Sequence, residues 1–176
     1  MTHLSSLFVA VAVLGGGSAI ADTGTSTKPT STLDDDPAAK LQSADLFFEF
    51  DSANVGDDAA SNEKLGRVAR WAKCHPRGKV VLEGHTDPIG TNKYNIGLSA
   101  RRADAVRATL IELGARPDQI VIGMYGEVGP LRDSDAENRR VTAKTTMAPL
   151  DAIVKKEGAN GATAMVVLQP VSQDEG

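Results

Sequence analysis

One stretch limits the folds open to this chain more than any other. Residues 79–113 hold, in order, an apolar run, a turn marked by glycine and proline, and a long segment with helical spacing. Val80-Val81-Leu82 is β-branched and apolar, as a buried strand should be. The turn Gly84-His85-Thr86-Asp87-Pro88-Ile89-Gly90 follows, and Thr91 or Asn92 is placed to cap the helix after it. An acid on such a strand-to-helix turn faces the crevice where open α/β sheets bind ligands.

The helix carries two adjacent arginines, which are not equivalent. Ala103, Val106, Leu110 and Leu113 are spaced to form one apolar stripe. At about 100° per residue, with Val106 as zero, Arg102 falls at roughly −40°, beside the stripe. Arg101 falls at roughly −140°, toward solvent. A guanidinium at the edge of a core face needs a partner, because burying it unpaired is costly. Asp87 is the nearest acid that a short turn brings over the same helix. An acid and an arginine side by side suit a zwitterion: the acid takes an ammonium, and the arginine takes a carboxylate in fork geometry.

Gly84-His85-Thr86-Asp87 is followed by Asn95, Leu98-Ser99 and Arg102-Ala103, then by Tyr125-Gly126-Glu127 with Pro130, and then by Asn138-Arg139-Arg140-Val141. These motifs, in this order and spacing, closely resemble the OmpA-like peptidoglycan-binding domain over roughly residues 43–146. The resemblance implies non-covalent binding of the diaminopimelate in the cell-wall stem peptide. It implies that Asp87 and Arg102 hold that amino acid's polar groups, with Asn95, Glu49 and Arg139 as lesser contributors. In the family an acid usually follows the valine of the last motif, whereas this chain has Thr142.

The element order expected over 43–146 is β-α-β-α-β-loop-β. Residues 46–51 form the first strand, with Leu46, Phe48 and Phe50 on one face. A helix opens at Gly56-Asp57-Asp58, buries Leu65, Val68, Ala69 and Ala72, and ends before Pro76. Residues 79–85, 119–125 and 139–146 are the remaining strands. Strands joined through helices are expected to pair in parallel, and the last, reached by a loop, can pair antiparallel. The fold class is α/β (an α+β two-layer sandwich), a mixed four-stranded sheet with helices on one face. Neighbouring strand residues point to opposite faces, so only one of Arg139 and Arg140 can face the site, and Arg139 is favoured.

The flanks read differently. Leu4–Leu14 is an apolar run of signal-peptide length, and Ala19-Ile20-Ala21 matches a small-x-small cleavage site, so residues 1–21 are expected to be removed. The run is too short for a membrane span, and no cysteine near the cut offers a lipid anchor. Residues 22–42, rich in Ser, Thr, Asp and Pro, are expected to be a flexible linker. The acidic run Asp34-Asp35-Asp36 is read as solvated rather than as a metal site. Residues 147–176 form an extension outside the family pattern, with a short helix around Leu150, Ile153 and Val154 and a strand-like run at 163–168 that either adds an edge strand or packs as a tail.

A net charge of −4 without a basic face argues against nucleic acid as a partner. The single cysteine, Cys74, excludes an internal disulfide. Catalysis finds little support: His85 has no second histidine at ligand spacing, and no nucleophile elbow is present. The expectation is therefore a non-catalytic periplasmic module, without cofactor or metal, that links an envelope component to peptidoglycan. The competing reading is an envelope scaffold whose wall site has lapsed. A flagellar-stator-like subunit is disfavoured, since it needs a true membrane helix.

Overall fold

The computed structural model describes residues 40, 42–129 and 131–167. The signal segment read over 1–21 and nearly all of the linker lie outside the described residues. The elements are β1 (Ser43–Phe47), α1 (Ala59–Cys74), β2 (Lys79–His85), α2 (Asn92–Glu112), β3 (Ile120–Gly126), a single turn α3 (Asp135–Asn138), β4 (Arg140–Thr146), α4 (Leu150–Ala159) and β5 (Ala164–Val167).

Local chemistry sets the helix starts. The Asp58 carboxylate accepts from the Ser61 amide at 2.9 Å, and the Thr91 hydroxyl accepts from the Tyr94 amide at 3.3 Å. Both side chains satisfy amides that the first turn of a helix leaves free. No described helix is long and apolar enough to cross a membrane.

The strands form one mixed sheet in the order β1-β4-β2-β3-β5. β2 and β3 are parallel, and every other neighbouring pair is antiparallel. β4 lies between β1 and β2, so those two run parallel to each other without pairing. Leu65, Val68 and Trp71 of α1 and Val106 and Leu110 of α2 pack over Leu46, Leu82, Ile120, Ile122 and Val141 on the front face. The expected arrangement over 43–146 is present, but the sheet has five strands rather than four. β5, from the extension, pairs along β3 from Val121↔Val167 to Met124↔Ala164. Helices also cover both faces, because Ile153 of α4 packs on Val81 and Val121 at the back. Strand alternation forces this: Val81 and Val121 point away from α1 and α2, and something apolar must cover them.

The first strand ends earlier than its alternation implies. Phe48 is buried, but the chain then turns sharply: the Ser52 amide donates to the Glu49 carbonyl, and Asp51 adopts a left-handed φ of 53°. Phe50 therefore leaves the core face and is 58% exposed. Leu113, expected on the buried stripe of α2, is exposed at the helix end.

α2 sits directly against β2. A Cβ on Gly84 would lie 2.4 Å from the Ser99 carbonyl oxygen. The Ser99 hydroxyl donates to the Ile96 carbonyl at 2.8 Å and accepts from the Gly126 amide at 3.2 Å, tying α2 to the end of β3. Gly97 has no such constraint, since a Cβ there would meet only the Arg101 guanidinium at 3.5 Å. Two opposite outcomes are expected in chemical denaturation. Gly84→Ala lowers stability by about 1–3 kcal/mol through overpacking. Gly97→Ala raises it by up to about 1 kcal/mol through helix propensity.

Candidate functional site

The site is built where the loop after β1, the turn after β2, the first turns of α2 and the start of β4 converge. Arg102 lies at its base with no exposed surface. Its guanidinium donates to three backbone carbonyls: Nε to Ser52 at 2.8 Å, Nη1 to His85 at 3.1 Å and Nη2 to Glu49 at 3.1 Å. The Phe48 ring lies 5.3 Å from the guanidinium carbon. Burial brings the Arg102 pKa down to about 10, opposed by the nearby Asp87 charge, so the group stays cationic at neutral pH. Arg101 is exposed and lies over the Tyr94 ring.

Asp87 is also buried, but its ionic partner is Arg139, not Arg102. Arg139 Nη1 donates to Asp87 Oδ2 at 3.1 Å, and its Nε donates to the Phe48 carbonyl at 3.1 Å. The expected side-by-side pair of Asp87 with Arg102 is thus replaced by an Asp87–Arg139 pair above an Arg102 occupied by backbone. The reason is reach: the loop after β1 folds over Arg102 and supplies carbonyls, leaving the Asp87 oxygen to the arginine at the start of β4. Arg140, next in sequence, is buried and donates to the Glu137 carbonyl.

Asn95 is buried under the turn. Its Nδ2 donates to the Asp87 carbonyl at 3.4 Å and to Glu127 Oε2 at 2.7 Å. The Thr86 amide donates to the Gly126 carbonyl at 2.8 Å. These bonds fix the turn that carries Asp87 against the end of β3. Glu49 contributes to the base through its carbonyl, while the residue itself is exposed.

The Asp87–Arg139 pair lies between two clefts. Asp87 lines one of about 180 Å³, together with Phe50, Asp51, Ile89, Tyr94 and Leu98. Arg139 and Glu49 line the other, of about 480 Å³, with Phe47, Phe48 and Asn54. The Tyr94 hydroxyl donates to Asp51 and closes one rim of the smaller cleft. The structure therefore gathers Asp87, Asn95, Arg102 and Arg139, and sets Glu49 on the neighbouring cleft. Sequence reasoning missed Phe50, Ile89 and Tyr94 as rim residues. Ile89 and Tyr94 bracket the turn in sequence, which was a usable signal; Phe50 looked like core because the strand appeared to continue.

Such a site holds opposite charges in a desolvated setting with apolar walls. A family model for the OmpA family matches residues 47–144. The chain belongs to the OmpA family. It is 35% identical over 108 residues to a peptidoglycan-associated lipoprotein of Mesorhizobium japonicum, covering 58% of this chain and 62% of that protein. It is 38% identical over 106 residues to outer membrane porin F of Pseudomonas aeruginosa, covering 57% of this chain and 30% of that one. The chain thus spans about three-fifths of the lipoprotein and less than a third of the porin. The crystal structure of the peptidoglycan-associated lipoprotein from Burkholderia pseudomallei superposes with a TM-score of 0.53 at 33% identity, over 65% of this chain and 98% of that one.

The departure at Thr142 has a local answer. Its hydroxyl donates to Asp45 Oδ1 at 2.7 Å across the β1–β4 pair, and Arg132 binds the other oxygen of Asp45 at 2.8 Å. The acid absent after Val141 stands instead on the neighbouring strand.

Removing the Arg102 guanidinium takes a donor from three carbonyls at the base of the site, of which that of Glu49 keeps the Ser52 amide. Arg102→Ala is expected to lower stability by roughly 3 kcal/mol or more, seen as a fall in the thermal midpoint. Arg139→Ala leaves the buried Asp87 carboxylate without its ionic partner and is expected to cost about 2 kcal/mol in the same measurement.

Proposed function

We infer that the chain binds peptidoglycan non-covalently through the diaminopimelate of the stem peptide, and that it serves the periplasmic face of a bacterial envelope. The observation that carries this reading is the Asp87–Arg139 pair, poised between two clefts over a cationic Arg102. An incoming zwitterion exchanges one ion pair for two: its ammonium replaces Arg139 on Asp87, and its carboxylate takes the released Arg139 fork. Desolvated charges hold their ligand more firmly than surface ones, and the exchange leaves neither charge unpaired. The diaminopimelate side chain ends in an amino-acid head, whereas lysine ends in an ammonium alone, so the Asp87 and Arg139 pair distinguishes them. Membership of the OmpA family and the likeness to peptidoglycan-associated lipoproteins support the wall as ligand.

Arg102 has a positioning part in this scheme: it holds the loop after β1 and adds positive potential beneath the carboxylate. Its loss confuses binding with folding, so Asp87 and Arg139 are the sites to test. With insoluble peptidoglycan, Asp87→Asn and Arg139→Gln are each expected to weaken co-sedimentation by about tenfold or more, the value of one charge-assisted hydrogen bond. Free meso-diaminopimelate competes, and lysine blocked at its α-amino and α-carboxyl groups, which presents only its side-chain ammonium, does not. Undiminished pelleting of both folded variants overturns the site. Equal competition by the blocked lysine overturns the specificity.

A further inference from the structure

α4 and β5 lie beyond the residues that the family model matches; β5 extends the sheet along β3, and α4 covers the back of the sheet. α4 brings one acid into this layer. Glu157 is 2% exposed, and its Oε2 accepts from the Tyr125 hydroxyl at 2.6 Å. Tyr125, on β3, stacks on the His85 ring with centroids 4.8 Å apart and planes inclined by 27°. Close packing holds this column in place. A Cβ on Gly123 would lie 3.2 Å from the Tyr125 ring, and one on Gly129 would lie 3.2 Å from His85 Cε1. His85 is the last residue of β2: its carbonyl accepts from Arg102, and Asp87 is two residues further on. A continuous chain of contacts thus runs from the extension to the ligand turn.

Glu157 lies close to a second buried acid, Glu83. Glu83 on β2 accepts both bonds of Lys144 on β4, at 2.6 and 2.7 Å. Burial works against the Glu83 charge, but the His85 ring, 4.0 Å from Oε2, and the two bonds from Lys144 bring its pKa down to about 2. His85 is held neutral, its pKa lowered by burial and by Arg140 despite the pull of Glu83. Lys144 bonds Glu83, and Arg140 adds a second positive charge to the cluster; the group bonded to the Glu157 carboxylate is the neutral Tyr125 hydroxyl. Tyr125 faces Glu157 with its hydroxyl, and Lys156, next to it on α4, is exposed. Burial first, and the Glu83 charge with it, push the Glu157 carboxyl upward.

We propose that Glu157 is a positioning residue for the Asp87 turn, acting through Tyr125 and His85, and that its proton sets how firmly α4 braces that turn. An acid whose folded pKa is raised supports docking fully below its unfolded pKa, and that support is lost as pH rises through the folded pKa. Each unit of upward shift costs about tenfold in the docking equilibrium once the acid has ionised.

The test is hydrogen exchange on the full chain without ligand, from pH 5 to 9, corrected for intrinsic rates, with wall co-sedimentation alongside. In the wild type, protection of the α4 amides and of the Thr86 amide is expected to fall together, about tenfold per unit, and then level. Glu157→Gln, which still accepts from Tyr125 but has no proton to lose, stays flat. A wild type that is flat, or a variant that keeps the wild-type slope, overturns the role of the proton. A response confined to α4 overturns the positioning. Tyr125→Phe keeps the ring on His85 and removes the hydroxyl, so protection of the Thr86 amide is expected to fall at low pH; unchanged protection overturns the proposal. The co-sedimentation arm rests on the function inferred above. Wall binding is expected to decline with Thr86 protection in the wild type and not in Glu157→Gln. Exchange that behaves as expected in a chain that never pellets with wall refutes that function and leaves the brace standing.

Discussion

A guanidinium with no exposed surface is the constraint on which this site depends. Arg102 must be charged and cannot be solvated, so its donors have to find acceptors within the protein. It finds them in the main chain at Ser52, Glu49 and His85, two segments that are distant in sequence. The side chain therefore stitches the loop after β1 to the end of β2. That stitch bends the chain at Asp51, turns Phe50 outward, and keeps the larger cleft's wall beside the Asp87 turn. It also leaves Asp87 to Arg139, whose side chain lines the larger cleft instead of being sealed in the core.

Around this base, main-chain contact is closer than side chains of ordinary size permit. Gly84 lets α2 approach β2, and Ser99 uses its hydroxyl both within the helix and toward β3. The bonds of Asn95 to the Asp87 carbonyl and to Glu127 then hold the turn from below. Rigid support of this kind lowers the ordering cost that a ligand must meet on binding. The family frame tolerates exchange of parts when the physics is kept, as the Asp45–Thr142 contact across two strands illustrates.

The extension changes the layer count. With α1 and α2 alone, Val81 and Val121 would face water; Ile153, Met165 and Val167 remove them from it. The same layer encloses Glu157, Tyr125, His85, Glu83 and Lys144, a polar cluster unusual for the back of a sheet. Its two buried acids, Glu83 and Glu157, lie close to one another.

Much of this architecture was legible in the sequence, because it depends on neighbours a few residues apart. Helical spacing placed Arg102 at the core and Arg101 in solvent; Asp58 and Thr91 announced helix starts; β-branched runs marked β2 and β3. The OmpA-like motifs named the turn and the residues that converge on it. Tertiary structure alone decided which groups became partners. Asp87 meets Arg139 across 52 positions, and Arg102 meets Glu49 across 53. No local period encodes such a choice, since it depends on which of several donors a folded loop brings within about 3 Å. The fate of Phe50 and the fifth strand have the same cause. A period-two pattern shows that a residue can lie on a face, whereas only the packed chain decides whether that face is covered.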